Sequence, residues 1–287
     1  MFKTYALANS LSAFGFKLHI LVVDGGKPSD STLSNTVHYP LSDITDEVGL
    51  KLINKYQSNK DKLRWGLKSV FLKHLLGQNE KVIYVDNDVF FYANPQFLFD
   101  LLNDNNILLT PHFYRSNPAK DQNWLEANYR VGLFNAGFLG VNKQAMDALT
   151  WWSACCLYKI TKSTGRGLFD DQKYLDLFPV KFDGVHIVKH QGCNLAGWNA
   201  EDYQIATRSK EEVVINGKYP VVFIHFAESS MLLFSSPTSL LYPYYLKYLE
   251  ELRGFSKNYT FTRTYFSWYI VSSYFNFLLW KIKRLMD

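Results

Sequence analysis

Apolar positions recur along this chain at two periods. At Tyr5, Leu7, Ala8, Leu11 and Phe14 the spacing is helical and predicts a helix over 3–16 that ends near Gly15. Lys17 to Val23 predicts a strand, stopped by Asp24-Gly25-Gly26. Residues 27–45 are rich in Pro, Ser and Thr and read as a surface loop with little regular structure. Helices are expected from about Asp46 to Tyr56 and from about Leu63 to Leu76. The β-branched run Lys81-Val82-Ile83-Tyr84-Val85 predicts a buried strand. A helix over 95–103 and a strand at 107–110, ending at Pro111-His112, follow it. The polar stretch 113–130 reads as a mobile loop. Residues 131–141 predict a strand with three glycines, where backbone must approach something closely. A helix over 143–160, a loop at 163–168, a helix opened by Phe169-Asp170-Asp171-Gln172, and strands at 185–188 and 220–226 complete the pattern. This alternation predicts an α/β sheet with its ligand site outside the carboxyl ends of the strands, where Asp24, Asp86 and His112 fall.

Composition narrows the picture only modestly. A 287-residue chain at 47% hydrophobic and 17% aromatic can bury a large core. The net charge of +5 suits a phosphorylated substrate or an anionic membrane surface, and without a dense basic stripe it is no argument for nucleic acid. Three cysteines, two of them adjacent, make neither a disulfide framework nor a Cys₄ zinc site, so a reducing cytosol is expected. No long apolar run suggests a signal peptide at the N-terminus.

The chemistry concentrates at Asp86-Asn87-Asp88. Alternation along a strand lets Asp86 and Asp88 face the same way. Two carboxylates at the end of a buried strand call for positive charge, which a hard divalent cation such as Mn²⁺ or Mg²⁺ bound to phosphate oxygens supplies. The competing reading is a solvated Asp-Asn-Asp turn.

In order, Arg-Trp-Gly-Leu-Lys (64–68), Ile-Tyr-Val-Asp-Asn-Asp (83–88), Leu-Thr-Pro-His (109–112), Asn-Ala-Gly-Phe-Leu-Gly-Val (135–141), Asp-Asp-Gln (170–172), Asn-Leu-Ala-Gly-Trp-Asn (194–199) and Ile-His-Phe (224–226) resemble a bacterial nucleotide-sugar glycosyltransferase of the GT-A fold. Its plan is similar to glycosyltransferase family 8. The resemblance covers residues 1 to about 230. It implies a Rossmann-like, mixed α/β sheet flanked by helices. It also implies a metal-dependent hexosyltransferase that moves a sugar from a nucleotide-diphosphate donor to a surface-glycan or lipid-linked acceptor, with retention of configuration. Asp86 and Asp88 match the DxD motif, and His225 matches a histidine that completes the metal site. Asn135, Asp171 and Gln172 match residues around the transferred sugar, where an amide and a carboxylate support an oxocarbenium-like transition state. Asn194, Trp198 and Asn199 fall where similar proteins contact sugar or acceptor, and Lys68 can reach the diphosphate. For Asp170 the expected role is the helix cap.

Domains are expected at 1–235, the transferase, and 236–287, a C-terminal extension. Within the latter, Thr262–Asp287 holds an uncharged aromatic run followed by Lys281, Lys283 and Arg284. That pattern predicts an amphipathic helix lying on a membrane surface, the cytoplasmic face of the inner membrane, against the alternative of a helix packed on the core. Similar proteins begin with an apolar strand, whereas here Met1-Phe2 leads directly into a helix. The expectation is a sheet lacking its usual first strand or a natural chain starting upstream, with weakened donor binding. Two rival functions remain. One is a haloacid-dehalogenase-like phosphatase with Asp86 as nucleophile. The other is a non-catalytic relative acting as a binding partner.

Overall fold

The computed structural model describes residues 2–24, 33–115, 117–119, 122–208, 212–256 and 259. In chain order the helices are α1 (Phe2–Ser12), α2 (Glu47–Tyr56), α3 (Lys60–Leu76), α4 (Gln96–Leu101), α5 (Gln122–Arg130), α6 (Met146–Tyr158), α7 (Phe178–Lys181), α8 (Glu228–Phe234) and α9 (Tyr242–Phe255). The strands are β1 (Leu18–Val22), β2 (Thr36–Pro40), β3 (Lys81–Val85), β4 (Val89–Phe91), β5 (Ile107–Pro111), β6 (Phe134–Asn142), β7 (Val185–Ile187), β8 (Ile205–Thr207), β9 (Val213–Ile215), β10 (Tyr219–Pro220) and β11 (Phe223–His225).

A mixed sheet in the order β3-β6-β5-β7 organises the fold. β6 pairs antiparallel with β3 and β5, and β7 lies parallel to β5. Every residue of β6 is buried. Its alternation and that of β5 divide the core in two. Ile107, Leu109, Leu139 and Val141 join the helices α2, α3 and α6, while Leu108 and Phe138 join Leu7 and Leu11 of α1. Helices cover both faces, as the alternating pattern predicts. Asp46 caps α2 by accepting from Gly49 N at 2.9 Å, and Asn59 caps α3 in the same way. Beyond position 235, α9 packs on α1, and Tyr248 stacks on Phe226 at 4.0 Å.

Several local expectations need correction. The 27–45 loop contains β2, whose Val37 and Tyr39 are good strand formers and whose backbone pairs parallel with β1. The 113–130 loop ends in a helix, α5. The strand expected at 220–226 is broken. Pro220 has no amide hydrogen and ends β10, which pairs with β9, and a separate ladder forms between β11 and β4. The helix after Asp171 is a 3₁₀ turn, Lys173–Leu177, leading into the short α7. Residues 262–287, with their amphipathic pattern, lie outside the described residues. Among the described residues no helix is long and apolar enough to cross a membrane. Nor, among them, does the β1–β2 pair hydrogen-bond to β3.

Candidate functional site

β3 carries Asp86 out of the sheet, where its amide donates to Gly137 O on β6 at 2.9 Å. The chain then turns, with Val89 N donating to Asp86 O, and re-enters as β4. β4 pairs with β11 in a register that sets Val89 opposite His225, and Phe226 N donates to Asp88 O at 2.7 Å. Strand pairing thus brings together residues far apart in sequence. Oxygen and nitrogen atoms of Asp86, Asp88 and His225 lie within 4.8 Å of one another. Two carboxylates and an imidazole are a donor set suited to Mn²⁺ or Mg²⁺.

His225 is held from both ring nitrogens. Nε2 lies 3.0 Å from Asp88 Oδ1, and Nδ1 lies 3.1 Å from the Asn135 amide nitrogen. Burial lowers the imidazole pKa, but Asp88 outweighs it and raises the net value. Burial pushes the Asp88 carboxyl up, and the facing imidazole brings it well below the carboxylate range. Lys3, at the start of α1, adds a longer contact of 3.9 Å.

Beside this cluster lies a second charged group. Lys68, on α3, is almost wholly buried, with Nζ 3.2 Å from Asp171 and 3.3 Å from Asp86. It also donates to Ala136 O at 3.0 Å and sits over the Tyr84 ring. Burial disfavours the ammonium, yet the two carboxylates hold its pKa well above the lysine value. Burial pushes Asp171 up to about 6 despite Lys68, so this ion pair is charged at neutral pH. Asp171 does not cap a helix, and neither does Asp170. Gln172 occupies the cap position without a capping side-chain bond, while Asp170 has a φ of 49° and faces Lys162 at 3.6 Å.

Asn135 joins the sites. Its Oδ1 accepts from Gly137 N at 2.6 Å, and its Nδ2 reaches Asn194 Oδ1 at 3.1 Å as well as His225. A Cβ on Gly137 would stand 2.6 Å from His225 Cε1 and 2.9 Å from Asp86 Oδ2, so only glycine fits between these two side chains. Gln172 accepts from Ala136 N and donates to Val131 O. Asn194 holds φ at 58° and donates to Pro111 O. Asn199 is fully buried, with Nδ2 donating to His112 O and Asn194 O and Oδ1 accepting from Ala196 N. These bonds organise the 194–199 loop. Trp198 sets its ring edge-on to His225 at 5.2 Å, and its buried Nε1 has no hydrogen-bond partner among the described residues. Burial drives His112 down to about 3, so it is a neutral ring stacked on Tyr114.

Tyr84 is the residue that pattern reading passed over. Its hydroxyl lies 2.6 Å from Asp86 Oδ1. The signal was available, because Tyr84 stands two residues before Asp86 and so shares its side of the strand.

Fold and site together define an α/β protein with an acidic, imidazole-bearing centre at the carboxyl end of a sheet strand. The chain belongs to the family of the uncharacterized protein YfnD of Bacillus subtilis (strain 168), with which it is 30% identical over 242 residues, 79% of this chain and 74% of YfnD. Uncharacterized protein YfnF of the same strain is 30% identical over 197 residues, and the match spans 66% of this chain but only 63% of YfnF. No family model matches the chain. Among solved structures, it is similar to galactosyltransferase LgtC in complex with donor and acceptor sugar analogs, at 16% identity and a TM-score of 0.48, covering 93% of this chain and 95% of that one. Mouse xyloside xylosyltransferase 1 in its apo form gives 13% identity and a TM-score of 0.45, covering 79% and 92%.

Proposed function

We propose that this protein is a GT-A glycosyltransferase of the hexosyltransferase type, transferring a sugar from a nucleotide-diphosphate donor to a surface-glycan or lipid-linked acceptor, with retention. The observation that carries this reading is the convergence of Asp86, Asp88 and His225, with both carboxylates lining a cleft that also holds Lys68, the partner of Asp171. An imidazole placed across from both carboxylates favours a metal centre over a phosphatase in which Asp86 is the nucleophile. Asp86, Asp88 and His225 would hold Mn²⁺ or Mg²⁺, which supplies charge neutralisation to a departing nucleoside diphosphate.

The chain's own residues perform the remaining work. Lys68 adds a fixed positive charge beside the diphosphate position. Asp171, kept ionised at neutral pH by that lysine, stabilises positive charge developing on the sugar ring. Asn135 and Gln172 orient sugar hydroxyls, and Trp198 has an indole N–H available for the same purpose. Low-dielectric surroundings strengthen each of these interactions. The proposed location is the cytoplasmic side of the inner membrane, with residues 262–287 as a surface anchor.

The test is release of nucleoside diphosphate from a panel of nucleotide sugars with Mn²⁺. Asp88→Ala and His225→Ala should each lose roughly 2–4 kcal/mol of transition-state stabilisation while remaining folded. Wild-type turnover in the folded variants would sink the metal assignment. Hydrolysis of a phosphomonoester with no action on any nucleotide sugar would favour the phosphatase.

A further inference from the structure

Alternation along β3 turns Val82 and Tyr84 toward the core around α3, and Ile83 and Val85 toward the core around α1. Asp86 follows Tyr84 on the same side. Lys68 reaches that side from α3, with its ammonium 5.0 Å from the centre of the Tyr84 ring. One oxygen of Asp86 thereby receives two donors. The Tyr84 hydroxyl donates to Oδ1 at 2.6 Å, and the Lys68 ammonium lies 3.3 Å from the same atom. A carboxylate oxygen has about two lone-pair positions, so both of those on Oδ1 are in use. Lys68 is itself tied to Asp171 at 3.2 Å and to Ala136 O at 3.0 Å, which fixes it in place.

Asp86 Oδ2 is placed differently. It accepts no hydrogen bond from the described residues. It is also the oxygen beside His225, because a single point, the Cβ position on Gly137, lies 2.9 Å from Oδ2 and 2.6 Å from His225 Cε1. Asp88 has no comparable restraint. Its Oδ1 faces His225 Nε2 at 3.0 Å, and Lys3 is 3.9 Å from Oδ2. His225 is a candidate ligand too, so an arriving cation replaces that contact with bonds to both partners. Tyr84 and Lys68 make no such exchange, and Asp86 offers a cation one oxygen.

Divalent ions differ in what they ask of a carboxylate. Ca²⁺ gathers roughly 6–8 oxygens at about 2.3–2.6 Å and often takes both oxygens of one carboxylate, whereas Mg²⁺ demands a near-ideal octahedron at about 2.0–2.1 Å. Mn²⁺ shares the octahedral oxygen preference. We propose that Tyr84 is a positioning residue whose hydroxyl, together with Lys68, holds Asp86 as a one-oxygen ligand and so makes the acidic centre select Mn²⁺ or Mg²⁺ against Ca²⁺. This rests on the metal centre proposed above and adds the group that sets its choice of ion. Without the hydroxyl, Lys68 alone contacts Oδ1, and the carboxylate can turn to present both oxygens, which suits the larger ion. Phenylalanine at position 84 keeps the ring beside Lys68 and its packing against α3, so that substitution removes only the donor.

The test uses the 287-residue chain and metal ions alone. Electron paramagnetic resonance counts free Mn²⁺ during a titration, and Ca²⁺ is then added to displace the bound ion. Tyr84→Phe should raise the ratio of Ca²⁺ to Mn²⁺ affinity about tenfold over wild type, the scale on which partners of metal ligands alter binding. Tyr84→Leu, which also removes the ring, should give the same shift. An unchanged ratio in Tyr84→Phe, including equal weakening of both ions, overturns the proposal while leaving the metal centre standing. A shift in Tyr84→Leu alone traces the effect to packing of the ring and overturns it as well. Wild-type protein that binds no Mn²⁺ overturns the metal centre and this proposal together.

Discussion

Replacing Lys68 with Met removes a buried cation while keeping most of the side chain's bulk. The ammonium lies 3.2 Å from Asp171 and 3.3 Å from Asp86, and at an effective dielectric of about 20 each attraction amounts to about 5 kcal/mol before desolvation is counted. Desolvation offsets much of that in the intact protein. In the variant, however, Asp171 stays fully buried without a counter-charge, and breaking a buried pair in this way typically destabilises by about 3–5 kcal/mol. Spread over a domain of this size, such a loss lowers the melting temperature by about 6–20 °C. Thermal and urea unfolding of the folded variant measure it directly. The combined variant Lys68→Met with Asp171→Asn should recover about 2 kcal/mol, because neutralising the stranded carboxylate removes most of the penalty. A loss below about 1 kcal/mol, or no recovery in the combined variant, would refute the view of Lys68 as the counter-charge of a buried acid.

Gly137→Ala places a methyl 2.6 Å from His225 Cε1 and 2.9 Å from Asp86 Oδ2, and should weaken Mn²⁺ binding at least tenfold in calorimetry; unchanged affinity would show that the ligands move freely. Asp171→Asn should leave nucleotide binding near normal and slow sugar transfer, whereas equal loss of both would make Asp171 purely structural. Asp46→Ala should cost about 1 kcal/mol at pH 7 through loss of the α2 cap. Burial raises the Asp46 carboxyl, but Lys73 at 2.7 Å and the Gly49 amide bring it below the usual range. Its stabilisation is therefore complete above the unfolded carboxylate value of about 3.9 and fades as pH falls through the lower folded value. The difference between Asp46→Ala and wild type should shrink over that interval, and a constant difference would separate the cap from the charge.

Much of this architecture was legible because period and punctuation agreed. The β3 run, its flanking turns and the two following carboxylates are all local signals, and the structure keeps them. His225 was legible only through the order of motifs, since its approach to Asp88 depends on β4–β11 pairing across more than a hundred residues. The segments misjudged as loops have a common cause. β2 is short and edge-like, with Pro, Ser and Thr around it, and its strand character comes from pairing with β1 and from Tyr39 packing against Phe71. α5 is too polar for periodicity to mark, with Ala127 its only buried residue. Asn199 showed the limit of reading polarity as function, because its full burial and backbone bonds emerge only once the loop is folded.

The edge-on contact between Trp198 and His225 also has an optical consequence. An indole 5.2 Å from the ring proposed to hold the metal reports on its occupancy and protonation, since a protonated imidazole or a paramagnetic ion such as Mn²⁺ quenches nearby fluorescence. The chain contains seven tryptophans, so the signal is a fraction of the total emission, and Trp198→Phe isolates it by difference. Occupancy of the acidic centre can thus be followed by light, without a substrate, a label or a coupled enzyme.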